Sequence, residues 1–390
     1  MRIAYISADF GVPVFGEKGA SIHVRELTRA LSSLGHEVLI LTPRAGGPRP
    51  PGFDVPVHEL RPPQATGDRG RLMREYVTHL RRRGLELLRA FAPDVVYERY
   101  SLFGTAGVHL ARDLDVPVML EVNAPLAAEE ARYRGLDDPA AALRVERAVL
   151  RSANRVVAVS RGVERWLAET GVDQERVTVI RNGVDPDRFR PNARDRTDVR
   201  QALGLSGMVV GFVGTLKPWH DAVTLVRALA SFGASDRPQL LVVGDGPARG
   251  RLATAAEKAG VRATFTGAVA HETVPAYLSA LDVAVAPYAP DDGFYFSPLK
   301  LVEYLAAARP VVAADVGDIG HCVRSGDTGW LYEPGVASAL AAAIRAALAD
   351  PADAAAVAAA GRAHVCSEHT WEQNALAVVE LAASAQGVRA

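Results

Sequence analysis

At 390 residues the chain is long enough for two or three domains, each with its own core. A composition of 49% hydrophobic and 23% charged residues excludes wholesale disorder, and no apolar run approaches the roughly 20 residues that span a bilayer. The formal charge of −1 leaves no global electrostatic footprint for nucleic acid, so any anionic ligand has to be held locally. Met1-Arg2 leads into a strand-like run rather than an export signal. The two cysteines, Cys322 and Cys366, offer neither a disulfide framework nor metal-ligand spacing, so a reducing, cytoplasmic setting is expected.

Short β-rich runs alternate with helical patterns along the whole chain, the signature of parallel sheets with crossover helices. In the first half the runs fall at 2–7, 37–42, 94–98, 117–122, 155–160 and 176–180; in the second at 208–214, 239–245, 262–267, 282–288 and 309–315. These series predict two doubly wound halves. The stretch 182–198, rich in Asn, Asp, Arg and Pro, reads as a linker between them, and 336–390 is alanine-rich and helical by propensity. The division expected is 1–190, 191–370, and a helix at 371–390 that could pack back on the first domain. In open α/β sheets ligands bind beyond the carboxyl ends of the strands near a switch point, and two such domains facing one another would enclose a cleft. Strand exits are therefore the places to look for chemistry.

The first exit carries Gly11, Gly16, Lys18 and Gly19 before a helix starting near Ala20-Ser21. Glycines there allow close backbone approach and the helix start favours an anion, although an ordinary βα turn accounts for the same residues. His23, inside that helix, reads as a packing residue. The arginines Arg71, Arg74, Arg81, Arg82 and Arg83 read as a solvated helix face, with an anionic membrane surface as the less favoured reading. Further exits carry Glu98, Arg99 and Tyr100, then Glu121 and Asn123. In the second half, "FVGTLKPWH" sets Gly214, Thr215, Lys217 and His220 after a buried-type strand, and "GDGP" (244–247) is a glycine turn explained by close packing.

The stretch "DDGFYFSPLKLVEYLAA" (291–307) is the most informative. Ser297 suits an N-cap and Pro298 the first helical position, so a helix is expected from about 298. Its free N–H groups and dipole suit a diphosphate. Lys300 in the first turn opposes that dipole by a few tenths to about 1 kcal/mol, a placement that a bound anion would offset. Glu303, on the same face, pairs with Lys300 or accepts from a ribose diol. The aromatics at 294–296 would wall a sugar.

Taken together, "GEKGASIHV", "VIRNGVD", "FVGTLKPWH", "VVGDGP", "FTGAVAHETVPAYLSALDVAVAPY" and "SPLKLVEYLAAARPVVAADVG" resemble the retaining family-four glycosyltransferases from the first strand to about residue 335. The resemblance implies an α/β GT-B fold of two facing Rossmann-like doubly wound domains, acceptor domain first and donor domain second. It implies sugar transfer from a nucleotide diphosphate donor, UDP- or GDP-linked, with retention and with no cofactor or metal. By position it places Gly16 and Gly19 at the phosphate, Val269 at the base, Ser297, Pro298 and Leu299 at sugar and diphosphate, and Glu303 at the ribose, with Gly214, Thr215, His220 and Phe296 completing the donor side. The family's first paired glutamate falls at Tyr295, so either Asp292 supplies that acid from three residues earlier or the function is absent; its phosphate-binding Arg and Lys fall at Thr215 and His220, so Lys217 and Lys300 take that role. Its histidine after the 117–122 strand appears as Asn123. The acceptor, a small molecule, glycan or lipid-linked sugar, would meet Lys18, Glu98, Arg99, Tyr100 and Glu121. An epimerase of the same architecture, or a non-catalytic nucleotide-sugar or glycan binder, are the alternatives.

Overall fold

The computed structural model describes residues 1–62, 69–133, 135–290 and 294–387. It divides into two compact units, Met1–Arg181 with Trp371–Ala390, and Asn182–Thr370. In the first, seven parallel strands are β1 (Arg2–Ser7), β2 (Glu37–Thr42), β3 (Val57–Glu59), β4 (Val95–Arg99), β5 (Val118–Val122), β6 (Arg155–Ala158) and β7 (Val177–Val179), in the order β3-β2-β1-β4-β5-β6-β7. The second carries β8 (Val209–Val213), β9 (Gln239–Val243), β10 (Ala263–Phe265), β11 (Val283–Ala286), β12 (Val311–Ala314) and β13 (Trp330–Tyr332), ordered β10-β9-β8-β11-β12-β13. Both sheets are doubly wound and all pairings between these strands are parallel. This is the GT-B class of fold, two Rossmann-like domains on one chain.

The central strands read as near-continuous hydrophobic runs because helices cover both faces of such sheets. Val209, Val210, Phe212, Val283, Ala284, Val285, Val311 and Val312 are fully enclosed in the second core. In each sheet the strand order reverses once, between β1 and β4 and between β8 and β11. Those two reversals are the switch points at which this class of sheet binds ligands.

The expected boundary near 190 lies instead at 181/182. Residues 182–198 are not a free linker: Val184 and Phe189 are buried in the second core, and Arg362 donates to the carbonyls of Pro186 (3.0 Å) and Phe189 (2.6 Å). Asn192 caps the helix Ala193–Ala202 by accepting from Arg194 and Asp195 amides, and Arg196 and Arg200 of that helix each reach Asp282 at 2.6 Å. The alanine-rich tail breaks into helices Ala337–Ala349, Pro351–Glu368 and Trp371–Gly387. Asp350 caps the middle one ahead of Pro351, which stands at a first-turn position that needs no N–H. The last helix belongs to the first unit, where Trp371 meets the His23 ring edge-on at 5.2 Å. Four arginines of the helix Arg69–Phe91 are ion-paired or stacked on its own unit, Arg71 with Glu75, Arg81 with Asp113, Arg83 with Glu86, and Arg74 over Phe103, while Arg82 is exposed. Among the described residues no helix is long and apolar enough to cross a membrane.

Candidate active site

At the switch point of the second sheet, β8 ends in Gly214, whose φ of +132° is a conformation open to glycine. Space is tight as well, since a Cβ there would lie 3.1 Å from Lys300 Cε and 3.3 Å from Nζ and would push on the end of that side chain. Across that gap the Lys300 ammonium sits 4.3 Å from the Phe212 ring centroid and 5.6 Å from that of Tyr288, with Nζ 3.0 Å from His220 Nε2. Burial among these rings pulls the Lys300 pKa down to about 7, only partly opposed by the charge of Glu303. Burial and then the Lys300 charge push His220 down to about 2, so the imidazole is neutral and can accept from the ammonium. Its hydrogen bond to the Thr215 backbone orients the ring. The outcome is a cation compensated by ring faces and one neutral nitrogen; among the described residues no carboxylate pairs with it.

The helix after β11 runs Leu299–Ala306, one residue later than expected, and Pro298 is its N-cap with extended geometry (φ −75°, ψ 111°). Ser297 is therefore not a cap. Its Oγ accepts from the Asn182 amide at 2.9 Å and its carbonyl from Asn182 Nδ2, so Asn182 fixes the loop entering the helix. As N-cap, Pro298 has no polar side chain with which to cap the helix start. Lys300 and Glu303 do not pair directly. Lys300 turns to His220, whereas Glu303, 7% exposed, meets His271 Nε2 through Oε1 at 2.7 Å.

Trp219 and Phe296 stack at 5.8 Å with rings 11° apart, and Lys217 Nζ lies 5.6 Å from the Trp219 ring. Phe294 is buried edge-on against Tyr288 and against Gly317, where a Cβ would meet its ring at 2.3 Å. Of the three aromatics only Tyr295 and Phe296 keep partial exposure. Val269 is half-buried two residues before His271. Asp292 lies outside the described residues. The glycines of "GDGP" serve packing: a Cβ at Gly244 would strike the Gly214 carbonyl at 2.2 Å and one at Gly246 the Leu216 carbonyl at 2.5 Å.

In the first unit the glycine loop is clamped from below by Arg25, which donates to Val14 and Gly16 carbonyls at 2.7 and 2.6 Å. A Cβ on Gly16 would come within 2.8 Å of Pro13 and of Ser21 Oγ. Gly19 opens the helix Gly19–Ser33, with Lys18 at its N-cap and Lys18 Nζ donating to the Gly11 carbonyl at 3.2 Å. At the exits of β4 and β5, however, three of the expected acceptor residues have no usable surface. Glu98 (0% exposed) accepts from the Gly107 amide; Tyr100 donates to Glu146 Oε2 at 3.0 Å; Glu121 (1% exposed) is ringed by His23, Tyr97 and Asn123, each at 2.7 Å, with Arg99 at 3.8 Å. Glu98 and Glu121 sit on central strands and meet partners from the covering helices, Gly107 and His23, and Tyr100 follows β4 directly. Burial alone would raise Glu121, but His23, Arg99 and Asn123 more than offset it and hold its pKa down to about 2. Arg99 and Asn123 remain half-buried at the rim of this network.

Sequence reasoning missed the partners: His271 for Glu303, Phe212 and Tyr288 around Lys300, Asn182 under Ser297, and Arg25 under the glycine loop. His271, Phe212 and Asn182 lie far along the chain from the residues they serve, whereas Arg25 and Tyr288 lie within about a dozen residues. The "RNGVD" motif that contains Asn182 was the one available signal.

Family models match both halves of the chain. Residues 18–188 match the model described as Glycosyltransferase Family 4, and residues 207–350 the one described as Glycosyl transferases group 1. The chain is similar to a GDP-mannose-dependent alpha-mannosyltransferase of Mycobacterium tuberculosis, 32% identical with 86% of this chain and 84% of the relative covered, and to a glycogen synthase of the same species, 29% identical over 98% and 94%. Its fold matches that of a sucrose-phosphate synthase from Thermosynechococcus elongatus with a TM-score of 0.80, 24% identity and 99% of both chains covered. Fold and matches together define a GT-B glycosyltransferase. The chain belongs to glycosyltransferase family 4.

Proposed function

We propose that this glycosyltransferase moves a hexose from a UDP- or GDP-linked donor to an acceptor hydroxyl with retention of configuration and without a metal. The second unit is the donor domain and the first the acceptor domain. What carries the reading is Lys300: a cation held against Gly214 by ring faces, in the first turn of a helix whose N-cap is a proline, is suited to a pyrophosphate. A relative whose name specifies GDP-mannose supports the class of donor.

In the reaction the acceptor oxygen attacks the anomeric carbon on the face from which the diphosphate leaves. The bond from that carbon to the β-phosphate oxygen breaks, and the departing phosphate takes the acceptor's proton. Catalysis then rests on positioning and on stabilising charge on the leaving group, supplied by Lys300, Lys217 and the amides at 299–300. Glu303, its Oε1 fixed by His271, receives the ribose, and Phe296 on Trp219 offers an apolar face to the sugar. Asn123, tied to Glu121, stands where the family carries a histidine and is the catalytic candidate of the first unit. Arg99 and Lys18 are the remaining acceptor candidates with solvent access.

Incubation with UDP-, GDP-, ADP- and dTDP-hexoses, followed by proton NMR of sugar released or transferred, tests the reading. Net retention with one of the first two donors is expected. Inversion, or turnover to an epimerised donor with no acceptor, would contradict it. Glu303→Ala should weaken donor binding, and unchanged affinity by calorimetry would remove the ribose assignment.

A further inference from the structure

Arg25, 2% exposed, turns its guanidinium to the underside of the glycine loop, where Nη1 donates to the carbonyls of Val14 (2.7 Å) and Gly16 (2.6 Å). The neighbouring peptides have anchors of their own. The Phe15 amide donates to the Ala45 carbonyl at 2.7 Å, the Phe15 carbonyl accepts from the Gly47 amide at 3.3 Å, and the Gly16 amide donates to the Pro13 carbonyl at 3.2 Å. The Gly16–Glu17 peptide differs, because among the described residues its carbonyl is held by Arg25 and its amide has no acceptor. That peptide is trans, so its N–H points opposite to its C=O. With the Gly16 carbonyl drawn onto Arg25, the Glu17 N–H faces away from the guanidinium.

We propose that Arg25 is a positioning residue for phosphate recognition: by holding the Gly16 carbonyl it fixes the Glu17 amide outward as a donor to a phosphate oxygen. The inference rests on the reading of the glycine loop as a phosphate contact. The amides at 18–20, which lead into the helix Gly19–Ser33, likewise have no acceptor among the described residues, and Lys18 at the N-cap gives them no side-chain bond. Successive backbone amides beside a helix start favour an anion. Ser21 Oγ, in the first turn of that helix, is fully enclosed without a partner and lies 2.8 Å from where a Gly16 Cβ would stand, so a further donor is aimed at the loop. The Glu17 carboxylate is exposed and works against an anion, which leaves the aim of its amide as the favourable contribution of that residue. Gly16 has no Cβ to hinder rotation, so without the guanidinium the 16–17 peptide is free to turn over. Hydrogen bonds from a charged donor are about twice as strong as neutral ones, which suits Arg25 to hold it.

The test uses the full chain labelled with 15N at glutamate and phenylalanine, with the Glu17 signal assigned by Glu17→Gln. Addition of UDP should move the Glu17 amide downfield and leave the Phe15 amide, tied to Ala45, in place. In Arg25→Ala the Glu17 response should vanish and UDP affinity by calorimetry should fall roughly 10–100-fold, with the Phe15 signal kept as the sign of an intact loop base. Millimolar guanidinium ion should restore the response to that variant, a rescue that a purely structural arginine would not give. Arg25→Lys, which keeps the charge on a shorter stem, should retain part of the response and serves if the alanine variant does not fold. Inorganic phosphate is the second probe: a Glu17 shift with UDP assigns the phosphate to the donor, and one with phosphate alone assigns it to the acceptor. No Glu17 shift with either probe in the wild type, even where UDP binds, would overturn the inference and spare the donor reading, as would a wild-type response in both variants. A phosphate response without any nucleotide binding would overturn the donor reading and spare the inference.

Discussion

Glu121 on β5 of the first unit and Lys300 on the helix that follows β11 of the second are buried charges beside parallel sheets of the same class, and their surroundings treat them in opposite ways. Glu121 is surrounded by donors from His23, Tyr97 and Asn123 and is held ionised at a pKa of about 2. Lys300 has ring faces and a single neutral imidazole, and its pKa falls to about 7. A charge saturated by its own protein stabilises a fold; one left under-compensated beside open amides is available for a ligand. Burial and charge alone do not separate the two cases, whereas the count of donors or acceptors around the group does.

This contrast yields predictions that run from large to small effects. Glu121→Ala removes the hub of the first network and strands His23 and Arg99, so it should cost about 3–5 kcal/mol of stability by denaturant unfolding. Full stability would show the network to be dispensable. Lys300→Ala should leave the fold intact but lower turnover by about 10²–10³, the loss expected for one charge-stabilising donor. Wild-type turnover would remove its role.

Glu98 gives the next effect. Burial raises its pKa to about 7, against which the Gly107 amide is only a partial offset. In the unfolded chain it ionises near the ordinary glutamate value, so between about pH 4.5 and 7 the folded state holds the extra proton and stability falls as pH rises. The loss levels off above about pH 7 at on the order of 3 kcal/mol. Glu98→Gln should flatten that slope in urea melts taken across the window; an unaltered slope would assign it elsewhere.

The alternation of apolar runs made both doubly wound sheets legible, and β1 and β2 have the bounds read from sequence. β3 and β13, three-residue edge strands like β7 and β10, were missed: Val57–Glu59 offers a single apolar residue, and Trp330–Tyr332 is closely flanked by Gly329 and Pro334. Glu98, Tyr100 and Glu121 were read as acceptor contacts because polar residues at strand exits usually face ligands. Tertiary packing of central strands against helices reverses that inference, as Gly107 shows: its lack of a Cβ is what lets the Glu98 carboxylate approach within a helix start. Lys300 was readable as a misplaced first-turn cation, yet its compensation by His220, 80 residues earlier, was not.

The central claim, that the Lys300 ammonium receives the diphosphate, is tested most directly by proton linkage. Calorimetry of UDP or GDP binding should be run at pH 8, about one unit above the Lys300 value of about 7, in buffers of differing ionisation heat. Because the free protein has mostly lost that proton there and the complex must regain it, close to one proton should be taken up on binding. Affinity should fall by up to tenfold per pH unit above 7. Lys300→Met should lose both the uptake and the slope. A binding enthalpy independent of buffer in the wild type, or equal uptake in Lys300→Met, would contradict the account.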